Sequence, residues 1–314
     1  MKHRYLLFIP LLVLASCEKA PIKERYFYFD TWPSVTLYDG DKNNADDIRD
    51  IMANIDKESN NYVTTNTLYQ LNNCEESVTI SSDLYKLLKR TIDLIPASKS
   101  YFNPRLGSLS KKWKEALTNN QILSEAVINE ELDKMRHTSL SIGEKDGVCT
   151  AKKTGQGEVD LGGIAKGYTL DLIKDYLDEK NLKQYLIDCG SSSILLGEKP
   201  TKDGEFTIGL NIPGLEKQKT IKAKNIFIGA SGSSEQGVKI DGVTYSHIIN
   251  PFTGSAVNKY DFVLVKGDNG ALVDVLTTSF TMMELDDIKT IEKECNVQTI
   301  IYNNKELIYK SDNI

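Results

Sequence analysis

The strongest chemical pattern in the sequence is the run EVDLGGIAKGY at residues 158–168. It predicts a strand, a glycine turn and the start of a helix, with Asp160 before the turn and Lys166 inside the helix. Glycines allow a tight bend and a close approach to a ligand, and a helix N-terminus offers unpaired N–H groups that suit a phosphate. The run therefore predicts either a site for a phosphate-bearing ligand or a plain strand-to-helix connection with Lys166 solvated.

A second pattern pairs a carboxylate with a hydroxyl. Asp274 and Thr278 stand four residues apart in a stretch with helical spacing of apolar residues, so their side chains project from one face. Both offer hard oxygen donors, which Mg²⁺ prefers together with water and phosphate oxygens. The pair predicts a magnesium site or, equally compatible with the spacing, an exposed polar helix face.

Histidine is scarce, and His247 is the candidate general base. It stands before the turn signal Asn250–Gly254, where an imidazole could take a proton near neutral pH. It could equally be a half-buried histidine bonded to backbone. His137 lies in a charged stretch and is predicted to be a surface residue, while no serine stands in a nucleophile elbow and no dinucleotide-binding fingerprint is complete.

The N-terminal residues have the pattern of an export signal. A basic start is followed by an apolar run from Leu6 to Leu14, too short for a permanent membrane span. Residues 14–17 have the form of a bacterial lipobox, so we expect cleavage after residue 16 and lipidation of Cys17; a plain signal peptide with a chance cysteine is the alternative. The sequence thus predicts a signal peptide (1–16), a tether (17–25) and one domain (26–314).

Composition narrows the class of partner. The formal net charge is −6, and without Lys2 and Arg4 it is −8, with 36 basic residues against 44 acidic ones. An acidic surface argues against nucleic acid as a partner. Cys74, Cys149, Cys189 and Cys295 are too scattered for a zinc site, and the sequence leaves open whether they are thiols or disulfides.

The remaining pattern predicts elements that would position these residues. Helices and strands are interspersed and several strands are consecutive, which favours a mixed α+β fold with flanking helices. Residues 100–112 are predicted as a loop. Strands are predicted over 26–38, 185–188, 194–196, 206–211 and 221–230, helices over 45–55, 82–95 and 271–285, and hairpins over 139–149 and 298–309.

Taken together, these segments resemble the ApbE family, the FAD:protein FMN transferases, over nearly all of the predicted domain. The family's string DLGGIAKGY is intact at residues 160–168. A second motif, YSHIIDPxTG, stands at 245–254 with Asn250 replacing aspartate, and a third ends in Asp274 and Thr278. Weaker matches are residues 59–72, ending in Leu71-Asn72, and 102–107, where Asn103 replaces aspartate.

The resemblance implies an ApbE-like flavin transferase fold and a Mg²⁺-dependent enzyme. Family members transfer the FMN half of FAD to a threonine or serine hydroxyl of a target protein and release AMP. The metal would be held by the Gly163 carbonyl, Asp274 and Thr278, and His247 would assist removal of the acceptor's proton. The implied contacts to FAD are Asp160, Lys166, Ile249, Tyr62, Tyr101, Phe102, Asn103 and, less securely, Trp32.

The implied acceptor is an exported subunit of a membrane redox complex, and the enzyme would be lipid-anchored on the periplasmic side of a bacterial membrane. Two departures besides Asn103 and Asn250 are Ser191, in place of a glycine, and residues 233–236, where the family commonly reads DYER. Hydrolysis of FAD to FMN and AMP, and flavin binding without catalysis, are the alternative functions.

Overall fold

The computed structural model describes residues 20–232, 237–257, 259–312 and 314. The predicted signal peptide, Cys17 and the departure at 233–236 lie outside these residues. The described strands are β1 (Ile22–Arg25), β2 (Ser34–Leu37), β3 (Val78–Ile80), β4 (Ser139–Lys145), β5 (Val148–Thr154), β6 (Tyr185–Asp188), β7 (Ser193–Leu196), β8 (Phe206–Leu210), β9 (Lys219–Ala223), β10 (Ile226–Gly232), β11 (Val238–Ile240), β12 (Val243–Tyr245), β13 (Phe262–Gly267), β14 (Gln298–Asn303) and β15 (Glu306–Lys310). The α-helices are α1 (Lys42–Ser59), α2 (Thr67–Asn72), α3 (Ser82–Leu94), α4 (Gly107–Thr118), α5 (Glu125–Arg136), α6 (Ala165–Glu179), α7 (Gly270–Phe280) and α8 (Leu285–Cys295).

An antiparallel sheet of eight strands forms the centre of the molecule, in the order β1-β2-β6-β7-β10-β13-β14-β15. Strand β13 shows how it is packed: Val263 and Val265 enter the core on the face covered by α1, α6, α7 and α8. Phe262 and Leu264 point to the other face, under the hairpin β8–β9. Since both faces of β13 are buried, its sequence is continuously apolar rather than alternating.

A second layer packs on the far side of α6 and α7. It comprises α2, α3 and the three-stranded sheet β3-β5-β4. Tyr168 from α6 and Val275 from α7 belong to this second core, whereas Ile173 and Leu276 belong to the first. The two helices are therefore enclosed on both sides, and their positions are fixed by packing.

Helices α6 and α7 cross at a pair of glycines. A Cβ on Gly167 would lie 2.2 Å from the Gly270 carbonyl oxygen, and a Cβ on Gly270 would lie 2.4 Å from the carbonyl oxygen of Gly167. No side chain fits in that space, so the two backbones touch directly. This contact places the first turn of α6 beside the Asp274 side chain on α7.

The predicted mixed α+β class is confirmed, and most predicted elements are present, but several boundaries were wrong. Residues 22–25, predicted as tether, form edge strand β1 because Ile22 packs on the main core and the segment pairs with β2. Helix α4 begins inside the predicted loop 100–112. Helix α7 ends before the predicted residue 285, where the N–H of Thr281 donates to the carbonyls of Ser279 and Thr278. Helix α8 and strand β13 were not predicted.

The described residues contain neither a membrane-spanning helix nor a disulfide. Within them, no helix is long and apolar enough to cross a membrane. The four cysteines in this part of the chain are unpaired, and Cys149 and Cys189 are buried.

Candidate active site

A cavity of about 520 Å³ opens between the ends of several elements around α6 and α7. This volume falls in the range of small-molecule sites. Eleven of the predicted site residues line it, although the sequence places them on five separate segments. They are Tyr62, Tyr101, Phe102, Asn103, Asp160, Gly163, Lys166, His247, Ile249, Asp274 and Thr278.

Asp274 is a nearly buried carboxylate on a helix whose other faces are packed, with 8% of its surface exposed. Its Oδ2 accepts the Gly167 N–H at 2.7 Å, and its Oδ1 accepts the Ser193 hydroxyl at 2.5 Å. Burial raises the pKa of Asp274, while the Lys166 charge and these two hydrogen bonds lower it. Each carboxylate oxygen keeps a further lone pair that can face the cavity.

The hydrogen bond from Gly167 has a consequence for Gly163. In a regular helix the Gly167 N–H would donate to the carbonyl four residues earlier, but here it donates to Asp274. Among the described residues no hydrogen bond reaches the Gly163 carbonyl. This carbonyl is therefore available as an oxygen donor at the cavity wall.

The two threonines that follow Asp274 differ in whether their hydroxyl groups are hydrogen-bonded. The Thr277 hydroxyl donates to the Val273 carbonyl at 2.6 Å, whereas no hydrogen bond of the Thr278 hydroxyl is formed within the described residues. One carboxylate, one free carbonyl and one free hydroxyl are the oxygen donors that Mg²⁺ takes alongside water and phosphate. Among the described residues, no group of three His, Cys, Asp or Glu side chains is placed so that it could hold a metal ion.

The segment before the glycine turn is not a strand of a sheet, which corrects the prediction. The Asn72 side-chain amide replaces the missing neighbour: it accepts the Val159 N–H at 2.7 Å and donates to the Val159 carbonyl at 2.8 Å. Backbone bonds also hold the segment: the Gly107 N–H donates to the Glu158 carbonyl, and the Asp160 N–H donates to the Pro104 carbonyl. These contacts aim the Asp160 side chain into the cavity.

Asp160 and Lys166 line the cavity on either side of the turn. Asp160 accepts the Gly162 N–H at 2.8 Å. Burial raises the pKa of Asp160, and the Gly162 hydrogen bond and the nearby Lys111 and Lys114 charges oppose that shift. Neither Gly162 nor Gly163 has a positive φ. A Cβ on Gly163 would lie 3.3 Å from the Phe102 ring, so a side chain there would require the ring to shift.

His247 faces the cavity, so its side chain is accessible there even though protein atoms surround it closely. This enclosure, together with the Lys166 charge, lowers the pKa of His247 to about 4. The imidazole is therefore neutral at pH 7 and can accept a proton. Its neighbour Ile248 is held by a hydrogen bond from its N–H to the Ser246 hydroxyl at 2.9 Å.

Aromatic side chains form the outer rim. Tyr62 is 54% exposed and lies 5.2 Å from the ammonium groups of both Lys111 and Lys114. Tyr101 meets Phe252 edge to face at 4.9 Å between ring centroids. Rings with one open face can stack on a planar ligand or contact a partner protein.

Trp32 is the one predicted FAD contact that does not line the cavity. It lies in a neighbouring depression together with Arg25 and Ser191, and 56% of its surface is exposed. The adjacent residue Thr31 does line the cavity. The sequence alone therefore did not indicate that Trp32 lies in the depression and not in the cavity.

The departures from the family pattern occupy turns. The Asn250 side chain accepts the N–H groups of Phe252 and Thr253, and Asn103 accepts the N–H of Arg105. An asparagine oxygen performs this capping as an aspartate would. Ser191 has φ +66°, a left-handed conformation that explains why glycine is usual there.

Three residues with roles around the site were not predicted. Ser193 holds Asp274, Asn72 holds the Asp160 segment, and Asp171 caps α7 by accepting the N–H groups of Gly270 and Ala271 at 2.6 and 2.9 Å. Burial raises the pKa of Asp171 to about 6. Asn72 ends the segment 59–72 that resembles the family, but the sequence does not indicate that its partner is Val159. No sequence pattern marks Ser193 or Asp171 as site residues.

A family comparison covers the part of the chain that carries these residues. The family model "ApbE family" matches residues 29–301. The chain belongs to the ApbE family. The match includes the segments that carry Asp160, Lys166, His247 and Asp274.

Relatives and solved structures extend the comparison. The chain is 29% identical over 205 residues to an FAD:protein FMN transferase of Klebsiella pneumoniae, covering 64% of this chain and 62% of that protein. It is 29% identical over 217 residues to one of Treponema pallidum, covering 64% and 60%. The alignments thus span about three fifths of these curated relatives.

Two solved structures show the ApbE fold. An ApbE protein from Thermotoga maritima has a TM-score of 0.79 at 21% identity, and the flavin transferase ApbE from Vibrio cholerae has 0.77 at 20%. Each comparison covers 93% of this chain and 97% of the other.

Proposed function

We propose that this protein transfers the FMN half of FAD to a threonine or serine hydroxyl of an acceptor protein, releases AMP, and requires Mg²⁺. The observation that carries the proposal is the convergence of a carboxylate, a free carbonyl, a free hydroxyl, a lysine and a neutral histidine on one cavity. Its relatives named FAD:protein FMN transferase support the same reaction.

In this reaction the acceptor oxygen forms a bond to the phosphorus of the FMN half, and the bond from that phosphorus to the oxygen of AMP breaks. A metal held by Asp274, Thr278 and the Gly163 carbonyl would supply positive charge to the pyrophosphate oxygens. Lys166 adds a second positive charge at the same wall. The neutral His247 accepts the proton of the attacking hydroxyl, a role typically worth about 10²–10⁴-fold in rate.

The structure of the turns supports catalysis over binding alone. The replacement of two aspartates by Asn103 and Asn250 motivated a non-catalytic alternative. Both asparagines cap turns with their side-chain oxygens, and neither substitution removes a donor from the Asp274 group. The acceptor suggested by the family resemblance is an exported subunit of a membrane redox complex.

One experiment separates the candidate reactions. The mature domain is incubated with FAD, Mg²⁺ and candidate acceptor proteins, and AMP and protein-bound flavin fluorescence are measured on a denaturing gel. AMP with flavin on the acceptor supports transfer, and AMP with free FMN supports hydrolysis. The absence of AMP contradicts both.

Asp274→Ala tests the metal assignment. We expect loss of Mg²⁺-dependent AMP release by at least about 10³-fold, since the only carboxylate of the donor group is removed. Thr277→Val is the matched control, because the Thr277 hydroxyl is already bonded to the Val273 carbonyl. Full activity of Asp274→Ala, or equal loss in both variants, would contradict the assignment.

We further propose export and lipid anchoring at Cys17. The support is the order of basic start, apolar run and lipobox-like residues in the sequence. Labelled fatty acid should enter the wild-type protein and not Cys17→Ala. Equal labelling of the two proteins would exclude Cys17 as the anchor.

A further inference from the structure

Ser193 is a buried residue whose hydroxyl is bonded to the carboxylate of Asp274. This hydroxyl donates to Oδ1 of Asp274 at 2.5 Å. The Gly167 N–H donates to the other oxygen, Oδ2, at 2.7 Å. Within the described residues the carboxylate thus has one hydrogen bond on each of its two oxygens.

The backbone of Ser193 is fixed by two contacts. Strand β7 begins at this residue, and its carbonyl accepts the Cys189 N–H at 2.8 Å. Across the sheet, Ser193 lies directly opposite Gly229 of β10. A serine hydroxyl is only one rotatable bond away from such a backbone, so it has few positions available.

Gly229 brings helix α7 close to this pair of strands. A Cβ on Gly229 would lie 2.3 Å from the Thr277 hydroxyl oxygen and 2.9 Å from a methyl carbon of Val273. The helix therefore packs directly on the backbone of β10. This close approach puts Asp274, the residue after Val273, within hydrogen-bond reach of Ser193.

Both hydrogen bonds matter because an aspartate side chain does not fix the orientation of its own carboxylate. Its last torsion, χ2, has a broad distribution, so the oxygens of an unbonded carboxylate can rotate over a wide range. A donor on each oxygen holds one orientation, and a cation that needs another orientation must break a bond. Without the Ser193 hydroxyl, the Gly167 N–H would hold Oδ2 and leave Oδ1 free to move.

Mg²⁺ and Ca²⁺ respond differently to a loss of orientation. Mg²⁺ requires nearly ideal octahedral geometry at about 2.1 Å, whereas Ca²⁺ accepts variable geometry and either one or both oxygens of a carboxylate. A fixed carboxylate therefore favours the ion with the stricter geometry. Removal of one of the two hydrogen bonds should weaken the binding of Mg²⁺ more than that of Ca²⁺.

We propose that Ser193 is a positioning residue that gives the Asp274 site its preference for Mg²⁺ over Ca²⁺. The proposal rests on the metal site of the proposed function and adds what selects the ion. Ser193 acts through Asp274, because its hydroxyl proton is already donated to that carboxylate. Groups that orient a metal ligand in this way commonly tune the affinity of the site.

The test measures metal binding in the mature domain. Bound Mn²⁺ is followed by electron paramagnetic resonance, and Mg²⁺ or Ca²⁺ is added to displace it. We expect Ser193→Ala to weaken Mg²⁺ binding about tenfold, the usual cost of removing a group that orients a ligand. Ca²⁺ binding should weaken by less than about threefold. With FAD and an acceptor present, the Mg²⁺ concentration for half-maximal AMP release should rise about as much as the dissociation constant.

Two further variants separate the hydroxyl from general packing. Ser279→Ala removes another buried serine hydroxyl from the helix that carries Asp274, one that donates to the Val275 carbonyl at 2.7 Å. This variant should keep the wild-type ratio of Mg²⁺ to Ca²⁺ affinity. Ser193→Thr keeps a hydroxyl donor on β7 and should restore most of the preference that Ser193→Ala loses.

Other outcomes overturn the proposal in distinguishable ways. An unchanged ratio of Mg²⁺ to Ca²⁺ affinity in Ser193→Ala excludes the role. The same loss of preference in Ser279→Ala, or in Ser193→Thr, assigns the effect to packing and not to the hydroxyl. If the wild-type protein binds neither Mn²⁺ nor Mg²⁺, the metal site of the proposed function itself is wrong.

Discussion

The two sides of the cavity are built differently. On the inner side, α6 and α7 touch through Gly167 and Gly270, and every contact of Asp274 is buried. On the outer side, the rings of Tyr62 and Phe252 are each more than half exposed. The difference indicates that the inner side holds a fixed chemical geometry, while the outer side remains free to contact a partner.

The largest expected effect on the site comes from the helix crossing, where a change should reduce both stability and activity. Gly270→Ala places a methyl group 2.4 Å from the Gly167 carbonyl oxygen, so the helices must separate. We expect a loss of about 1–3 kcal/mol in the free energy of unfolding, together with loss of Mg²⁺-dependent activity. Urea unfolding measures the change in stability, and AMP release measures the change in activity.

Gly143→Ala is the control for this change, since its nearest contact would be an ordinary 3.4 Å to the Thr150 hydroxyl. If Gly270→Ala is as stable and active as Gly143→Ala, the crossing does not position the site.

An intermediate effect is expected at the cap of α7. The pKa of Asp171 is about 6 in the folded protein, above the ordinary value of 3.8. Protonation therefore favours the folded state: this stabilisation is present below about pH 4 and is lost as the pH rises through 6. Relative to Asp171→Asn, the wild type should lose roughly 2 kcal/mol between pH 4 and 7.

Denaturant unfolding at several pH values measures this difference. Asparagine keeps one oxygen acceptor for the N–H groups of Gly270 and Ala271 and does not titrate. If the free energy of unfolding depends on pH in the same way in the two proteins, burial does not raise the pKa of Asp171.

The smallest effect is expected at the outer side. Phe252→Ala removes a ring that is 53% exposed and touches Tyr101 edge-on, so the free energy of unfolding should change by less than about 1 kcal/mol. The same truncation at fully buried Phe280 should cost about 3–5 kcal/mol. Similar losses in thermal unfolding would remove the contrast between the two sides.

The sequence was most informative where chemistry depends on residues close together in the chain. The spacing of Asp274 and Thr278 predicted a shared helix face, and the glycine turn predicted the start of α6 at Ala165. The resemblance to the ApbE family joined these segments, which spacing alone could not do.

The sequence did not reveal contacts between residues that lie far apart in the chain. Residues 158–161 read as a strand because an apolar and extended pattern does not reveal that the partner is a side chain, Asn72. Strand β13 was missed because burial on both faces removes alternation. The sequence did not indicate that Trp32 lines a separate depression, because that depends on the surrounding fold and not on the residues beside it.

The amide of Asn72 also determines when the site can form during folding. It contacts Val159 across 87 positions of sequence, so this support of the Asp160 segment is absent until α2 has docked. Contacts of such separation form slowly compared with local helices. A partly folded chain consequently has an incomplete cavity wall, so under the proposed function only molecules with completed tertiary structure would capture flavin.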